Sequence, residues 1–158
     1  MDEESPVHHE ISATTTIDAP PAQVWQVLDE TAAYGDWNPF IPELNGELVV
    51  GSRLRVRIVP PGGGGGMTFR PTVTAVDRER HLAWLGRLGL PGLFDGTHSF
   101  TLAPRPDGGT DLTQREVFRG LLVPLFGSML RRTEAGFVAM NDALRARAEE
   151  RNRAGTGQ

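Results

Sequence analysis

Between residues 11 and 17 small or apolar positions alternate with serine and threonine, in the order Ile-Ser-Ala-Thr-Thr-Thr-Ile. The β-branched content makes this a strand. Asp18-Ala19-Pro20-Pro21 follows, offering a capping side chain and a proline suited to a first helical turn. The period then changes. Val24, Val27 and Leu28 share one face of residues 22–29, which predicts a short amphipathic helix. A second short helix is predicted over residues 31–36, ending before Asn38-Pro39.

From residue 46 to residue 118 the pattern is one of strands and turns. Residues 46–50 read as a weak strand. Leu54, Val56 and Ile58 alternate with Arg53, Arg55 and Arg57, a two-sided strand whose arginines face solvent. A glycine-rich turn over residues 60–66 precedes a returning strand begun by Phe69, Pro71 and Val73. Leu82, Trp84, Gly86 and Leu88 share a face of the next strand. Gly96, His98, Phe100 and Leu102 do so in the one after, and Leu112, Gln114, Glu116 and Phe118 in the last. Short turns between successive strands imply an antiparallel meander.

After Pro124 no proline interrupts the chain to residue 151, long enough for a helix of about 40 Å. Leu122, Phe126, Leu130, Thr133, Phe137, Met140, Leu144 and Ala148 form one stripe at three- and four-residue spacing. Gly127 and Gly136 each cost such a helix about 1 kcal/mol relative to alanine. Their expected use is close approach, a bend, or room beside the helix.

The order of elements predicts an α+β helix-grip fold: a curved antiparallel sheet of about six or seven strands wrapped around a long C-terminal helix, with two short helices after the first strand. Only the long helix is large enough to cover the sheet's apolar face. One domain over residues 11–152 is expected, between disordered tails at 1–10 and 153–158. A bent sheet closed by a helix leaves room for an internal cavity.

Composition narrows the chemistry. Cysteine is absent, which removes disulfides, thiolate nucleophiles and cysteine-ligated metals. All sixteen basic residues are arginine, so a Schiff base and a lysine-bearing phosphate loop are unavailable. The net charge of −4 argues against a nucleic-acid partner. No apolar run is long enough to span a bilayer, and the acidic start lacks the features of a secretory signal, so a cytoplasmic location is expected.

The chain resembles the START-like, birch-allergen-like superfamily, also called SRPBCC, and within it the polyketide cyclase/dehydrase group. The resemblance runs through Ile17-Asp18-Ala19-Pro20 to Val24-Trp25, then Trp37-Asn38-Pro39-Phe40 and Leu82-Ala83-Trp84. It continues in Gly96-Thr97-His98-Ser99-Phe100, in Gly109-Thr110, in residues 116–120, and in Gly136-Phe137 and Met140-Asn141. It spans about residues 11–150. It implies the helix-grip fold, whose members include lipid carriers, cyclases, hormone receptors and chaperone activators. Aromatase/cyclases of the group use an arginine from the region of Arg70 together with a tyrosine. Here alternation points Phe69 inward and Arg70 outward, and the single tyrosine, Tyr34, does not match the family's position.

Register arithmetic places the candidate chemistry. With Asp107-Gly108 at the centre of a tight hairpin, Leu102 faces Leu112, Phe100 faces Gln114 and His98 faces Glu116. The preceding hairpin puts Trp84 beside His98. Same-face neighbours on paired strands lie about 5 Å apart. In one reading Glu116 raises the pKa of His98 and orients it as an acid or base acting on a carbonyl substrate. In another the pair anchors a ligand's hydroxyl or carbonyl, and in a third it is a satisfied polar pair beside the core. The expected cavity wall comprises Trp37, Phe40, Phe69, Trp84, Phe100, Gln114, Phe118, Phe137, Met140 and Asn141. Trp25 belongs to the core.

The glycine run lacks the lysine and the following helix of a phosphate cradle and reads as a hairpin tip near the cavity mouth. His8-His9-Glu10 has metal-ligating residue types but reads as tail. No cofactor or metal is expected; the expected partner is a small hydrophobic ligand. Three functions remain open: carriage or sequestration of a lipid-like or polyketide-like molecule, a cyclase or dehydratase using His98 and Glu116, and a protein–protein module.

Overall fold

The computed structural model describes residues 8–62 and 65–156. In chain order the elements are β1 (His8–Ile17), α1 (Pro21–Asp29), a single 3-10 turn (Thr31–Ala33), α2 (Tyr34–Trp37), β2 (Glu43–Asn45), β3 (Arg55–Ile58) and β4 (Met67–Phe69). They continue with β5 (Thr72–Asp77), β6 (His81–Arg87), β7 (Asp95–Pro104), β8 (Thr110–Arg119), a second 3-10 turn (Val123–Phe126) and α3 (Gly127–Thr156).

The main sheet has five antiparallel strands in the order β1-β8-β7-β6-β5, and β2-β3-β4 form a second sheet of three. The second sheet adjoins the start of β5: Leu54 N–H donates to the Pro71 carbonyl and Val73 N–H to that of Ser52. Pro71, which has no N–H to give a ladder, separates β4 from β5, so the single returning strand predicted from Phe69 onward is two.

The hairpin between β7 and β8 turns as its sequence dictates. Gly108 takes φ +90, Asp107 accepts the Gly109 N–H, and Arg105 N–H donates to the Gly109 carbonyl. The register that follows pairs Leu102 with Leu112, Phe100 with Gln114 and His98 with Glu116. Between β6 and β7, Trp84 pairs with His98 and Gly86 with Gly96.

α3 lies along β1 and α1. Its buried positions are Leu130, Thr133, Gly136, Phe137, Met140, Asn141, Leu144 and Ala148, the predicted stripe from Leu130 onward with Gly136 and Asn141 added, while Leu122 and Phe126 precede the helix and are half-buried. The C-terminal half of the helix is tied down by polar contacts. Asp18 N–H donates to Glu149, Asn152 donates to the Asp18 carbonyl, and Arg151 pairs with Glu30 at 2.7 Å. Gly136 owes its identity to contact: a Cβ there would overlap the Phe40 ring. Phe40 and Phe137 meet edge to face at 5.7 Å and fill the space beneath that turn.

Three boundaries differ from the sequence reading. β1 begins at His8, because residues 8–10 continue the ladder opposite residues 117–119, so they are not tail. Residues 1–7 lie outside the described residues. Residues 46–50 form a turn rather than a strand; the strand in this region is β2, paired with β3 through Leu44 and Val56. α3 extends to Thr156, so residues 153–156 are helical, while 157–158 lie outside the described residues.

Candidate functional site: an apolar hollow with a buried carboxyl

The concave face of the main sheet is built in cross-strand rows. One row is Leu82, Phe100 and Gln114; the next is Trp84, His98 and Glu116; the third is Gly86, Gly96 and Phe118. The first two rows are filled. The third carries two paired glycines, and there the sheet lacks the side chains needed to meet the helix. The resulting hollow has a cavity volume of about 90 Å³, or about 750 Å³ when the space up to its open mouth is counted.

Trp84, Gly86, Gly96, His98, Glu116 and Phe118 form the floor, and Met129 and Thr133 of α3 the roof. Val56, Ile58, Pro60, Met67, Phe69 and Pro71 close one side, and Arg87, Leu88 and Phe94 the other. Nothing crowds Gly86: a Cβ there would meet only Pro71, at 3.8 Å. Gly96 has a different use, since its missing side chain leaves the place taken by Glu116 Oε1, 2.6 Å from where a Cβ would sit.

The predicted wall residues divide between hollow and core. Phe69, Trp84, Phe118, His98 and Glu116 line the hollow. Trp37, Phe40, Phe100, Gln114, Phe137, Met140 and Asn141 do not. Phe40, Phe100, Phe137 and Met140 are sealed in the core, and Trp37 packs on Tyr34 at 5.2 Å. The cause is the Phe40–Phe137 contact over Gly136, which plugs the middle of the bowl and confines open space to the N-terminal end of α3.

The sequence reading of the wall missed, apart from Phe69, the side formed by β3, β4 and Pro71, together with Arg87, Leu88, Phe94, Met129, Thr133 and the two glycines. The glycines were detectable, because strand alternation places both inward and the hairpin register sets them side by side. Arg70 is exposed and off the hollow, and Tyr34 is buried, its hydroxyl donating to the Leu28 carbonyl at 2.7 Å. Arg53, Arg55 and Arg57 are exposed as expected, and Glu10 is held by Arg115 at 2.6 and 2.8 Å. Among the described residues no group of three His, Cys, Asp or Glu side chains could hold a metal.

His98 and Glu116 are both unusual. His98 is 2% exposed and lies against the rings of Phe100, Trp84 and Phe137 at 4.9–5.0 Å. Burial pushes its pKa from 6.5 down to about 3, against the smaller upward effect of its hydrogen bond to Gln114. Burial pushes the Glu116 carboxyl from 4.5 up to about 8, although its side chain keeps 15% exposure toward the hollow. His98 Nδ1 and Glu116 Oε2 stand 3.6 Å apart. The expectation that Glu116 raises the histidine's pKa is therefore corrected. Desolvation among the aromatic rings dominates at both groups, and both are neutral near pH 7.

These opposed shifts predict a stability plateau. His98, depressed on folding, contributes stability above 6.5 that is lost as pH falls toward 3. Glu116, raised on folding, contributes stability below 4.5 that is lost as pH rises through 8. Between 4.5 and 6.5 the two slopes cancel. Each group alone changes stability by about 1.4 kcal/mol per pH unit, so about 2 kcal/mol is lost by pH 8. At least as much is lost by pH 3, where paired carboxylates such as Glu10, Glu30 and Glu149, held low by Arg115, Arg151 and the Asp18 N–H, also protonate. Urea unfolding across pH 3–9 checks this; a rise in stability from pH 6.5 to 8 would refute it.

A long helix gripped by a curved antiparallel sheet, with a hollow between them, defines a helix-grip protein of the START-like, SRPBCC class. The sequence model for the family described as polyketide cyclase / dehydrase and lipid transport matches residues 8–149, and the chain belongs to that family. Among solved structures it is similar to the Zhui aromatase/cyclase from Streptomyces sp. R1128, with TM-score 0.74 and 20% identity over 94% of this chain and 98% of that one. It is also similar to a norcoclaurine synthase point mutant from Thalictrum flavum in complex with a transition-state analogue, with TM-score 0.70 and 19% identity over 94% and 99% of the two chains. Ara h 8.0201 matches with TM-score 0.58 and 16% identity, over 87% of this chain and 98% of that one. None of the curated proteins matches the sequence. Among the described residues no helix is long and apolar enough to cross a membrane.

Proposed function

We propose that the protein captures a compact, mostly apolar molecule in the hollow beneath the first turns of α3, with a polar end of that molecule against Glu116. The observation that carries this reading is a carboxyl set in a mostly apolar wall, over a floor of two paired glycines. Other polar groups at the wall are His98, which Glu116 faces, Thr133, whose hydroxyl donates to the Met129 carbonyl, and Arg87 near Asp95. The family description supports the same reading, naming cyclase/dehydrase and lipid transport roles.

The size of the hollow selects the ligand. A cavity of about 90 Å³ admits part of a ring system, and the remainder must occupy the open mouth beside Met67 and Leu88. A fused two-ring aromatic burying roughly 200 Å² at about 25 cal/mol per Å² gains about 5 kcal/mol, a submillimolar dissociation constant. Titration with 1-naphthol, followed by quenching of tryptophan fluorescence, is expected to show saturable one-to-one binding in that range. Failure of 1-naphthol to saturate would contradict the capture reading.

A second reading, catalysis on a carbonyl compound as in a cyclase or dehydratase, is favoured by one observation. A carboxyl with a pKa near 8 that borders a hollow can take or give a proton close to neutral pH. The similar aromatase/cyclase and norcoclaurine synthase folds support it. In that case Glu116 moves the proton, and His98 serves to hold it in place.

A further inference from the structure

A chain of buried side chains runs from the hollow to the backbone of β1. The Asn141 amide nitrogen lies 3.0 Å from the Ala13 carbonyl, and its oxygen 3.0 Å from the Gln114 amide nitrogen. Gln114 Oε1 lies 3.1 Å from His98 Nε2, and His98 Nδ1 faces Glu116 Oε2. The direction of every link is decided at one end. A backbone carbonyl can only accept, so Asn141 donates with Nδ2 and accepts with Oδ1. Gln114 must then donate through Nε2 and accept through Oε1, and His98 must carry its proton on Nε2. A neutral histidine protonated there presents a lone pair at Nδ1. The group facing that lone pair is Glu116 Oε2, 3.6 Å away, and a shift of a few tenths of an ångström brings its O–H into hydrogen-bond range, with Oε1 left over Gly96 at the hollow.

Resting on the capture reading, we propose that this one-way chain, anchored at the Ala13 carbonyl, leaves the Glu116 carboxyl as a hydrogen-bond acceptor toward the hollow. The molecule it takes is therefore one that presents a hydroxyl, phenolic or enolic, rather than a bare carbonyl. A ligand O–H on Glu116 Oε1 adds a further donor pointing the same way, and aligned hydrogen bonds polarise one another. Gln114 and Asn141 are positioning residues, since neither lines the hollow. The ionisable groups around Glu116 at the hollow are His98 from β7 and Arg87 from β6. Arg87 lies 3.6 Å from Asp95. β1 offers the apolar Ile11 opposite Glu116, and α3 offers Met129 and Thr133, which do not titrate near neutral pH.

The test reads the free protein first. Long-range proton–nitrogen correlation NMR at pH 7 is expected to show His98 as the Nε2–H tautomer, assigned by loss of its signals in His98→Gln. In Gln114→Met the acceptor for Nε2–H is gone. The tautomer is then expected to change to Nδ1–H, which donates to Glu116 and lowers the midpoint of its carboxyl titration by a unit or more. A wild-type Nδ1–H tautomer overturns the proposal, as does an unchanged Glu116 midpoint in a folded Gln114→Met. The wild-type measurement decides the matter even if that variant does not fold. The second arm compares probes: 1-naphthol is expected to bind about tenfold more tightly than 1-tetralone, a net gain of about one hydrogen bond. Equal affinity or a preference for the ketone overturns the ligand class. Failure of both probes to bind removes the capture reading and the ligand class with it, while the tautomer still decides the direction of the chain.

Discussion

Replacing Gly136 with alanine is expected to destabilise the protein by about 2–3 kcal/mol, although in an exposed helix the same change stabilises by about 1 kcal/mol. The sign is what makes the substitution informative. The new methyl would overlap the Phe40 ring, and Phe40 has little freedom to retreat. Its N–H and that of Ile41 both donate to the Asn38 side chain, its carbonyl accepts Val59 N–H, and its ring is packed edge to face on Phe137. Overpacking at a site pinned on three sides costs more than the helix gains. Urea unfolding of Gly136→Ala measures the result. In the double variant with Phe40→Leu the penalty of the Gly136→Ala step is expected to shrink, because the overlap is relieved. A stabilising alanine would mean that α3 does not grip the bowl at this point.

The fold was legible in the chain because its determinants are local. The turn chemistry of Asp107-Gly108 sets the β7–β8 register, and that register brings His98 against Glu116. The helical stripe from Leu130 to Ala148 identifies the covering element and the face it buries. The short strand β2 carries no readable period in three residues, and it forms because Leu44 has Val56 opposite to bury against. The position of the hollow was not legible. It depends on Phe40 meeting Phe137 across Gly136, a packing event between residues almost a hundred positions apart that no window of alternation contains. The protonation state of the pair was hidden for a similar reason. A histidine beside a glutamate suggests an ion pair. The rings of Trp84, Phe100 and Phe137, from three different elements, make the neutral pair cheaper.

The second large effect concerns the floor of the hollow. Gly86 sits in β6 opposite Gly96, and a side chain added there enters open space, its Cβ meeting only Pro71 at ordinary contact distance. Leucine at this position suits a strand better than glycine and adds four carbons to the concave face. Gly86→Leu is therefore expected to fold at least as stably as the parent while losing the site. With the ring system kept out, most of the apolar burial that drives capture is gone, and about 3 kcal/mol of it corresponds to a hundredfold or greater loss of affinity. Glu116, His98, Gln114 and Asn141 are untouched by the change, so the loss separates the hollow from the polar chain behind it.

The most direct measurement is a parallel titration of the wild-type protein and Gly86→Leu with 1-naphthol, with urea unfolding of both as the control for folding. Saturable binding to the wild type, reduced a hundredfold or more in an equally stable Gly86→Leu, is the predicted result. Equal affinity in the two proteins would place the ligand elsewhere and contradict a hollow built by two paired glycines.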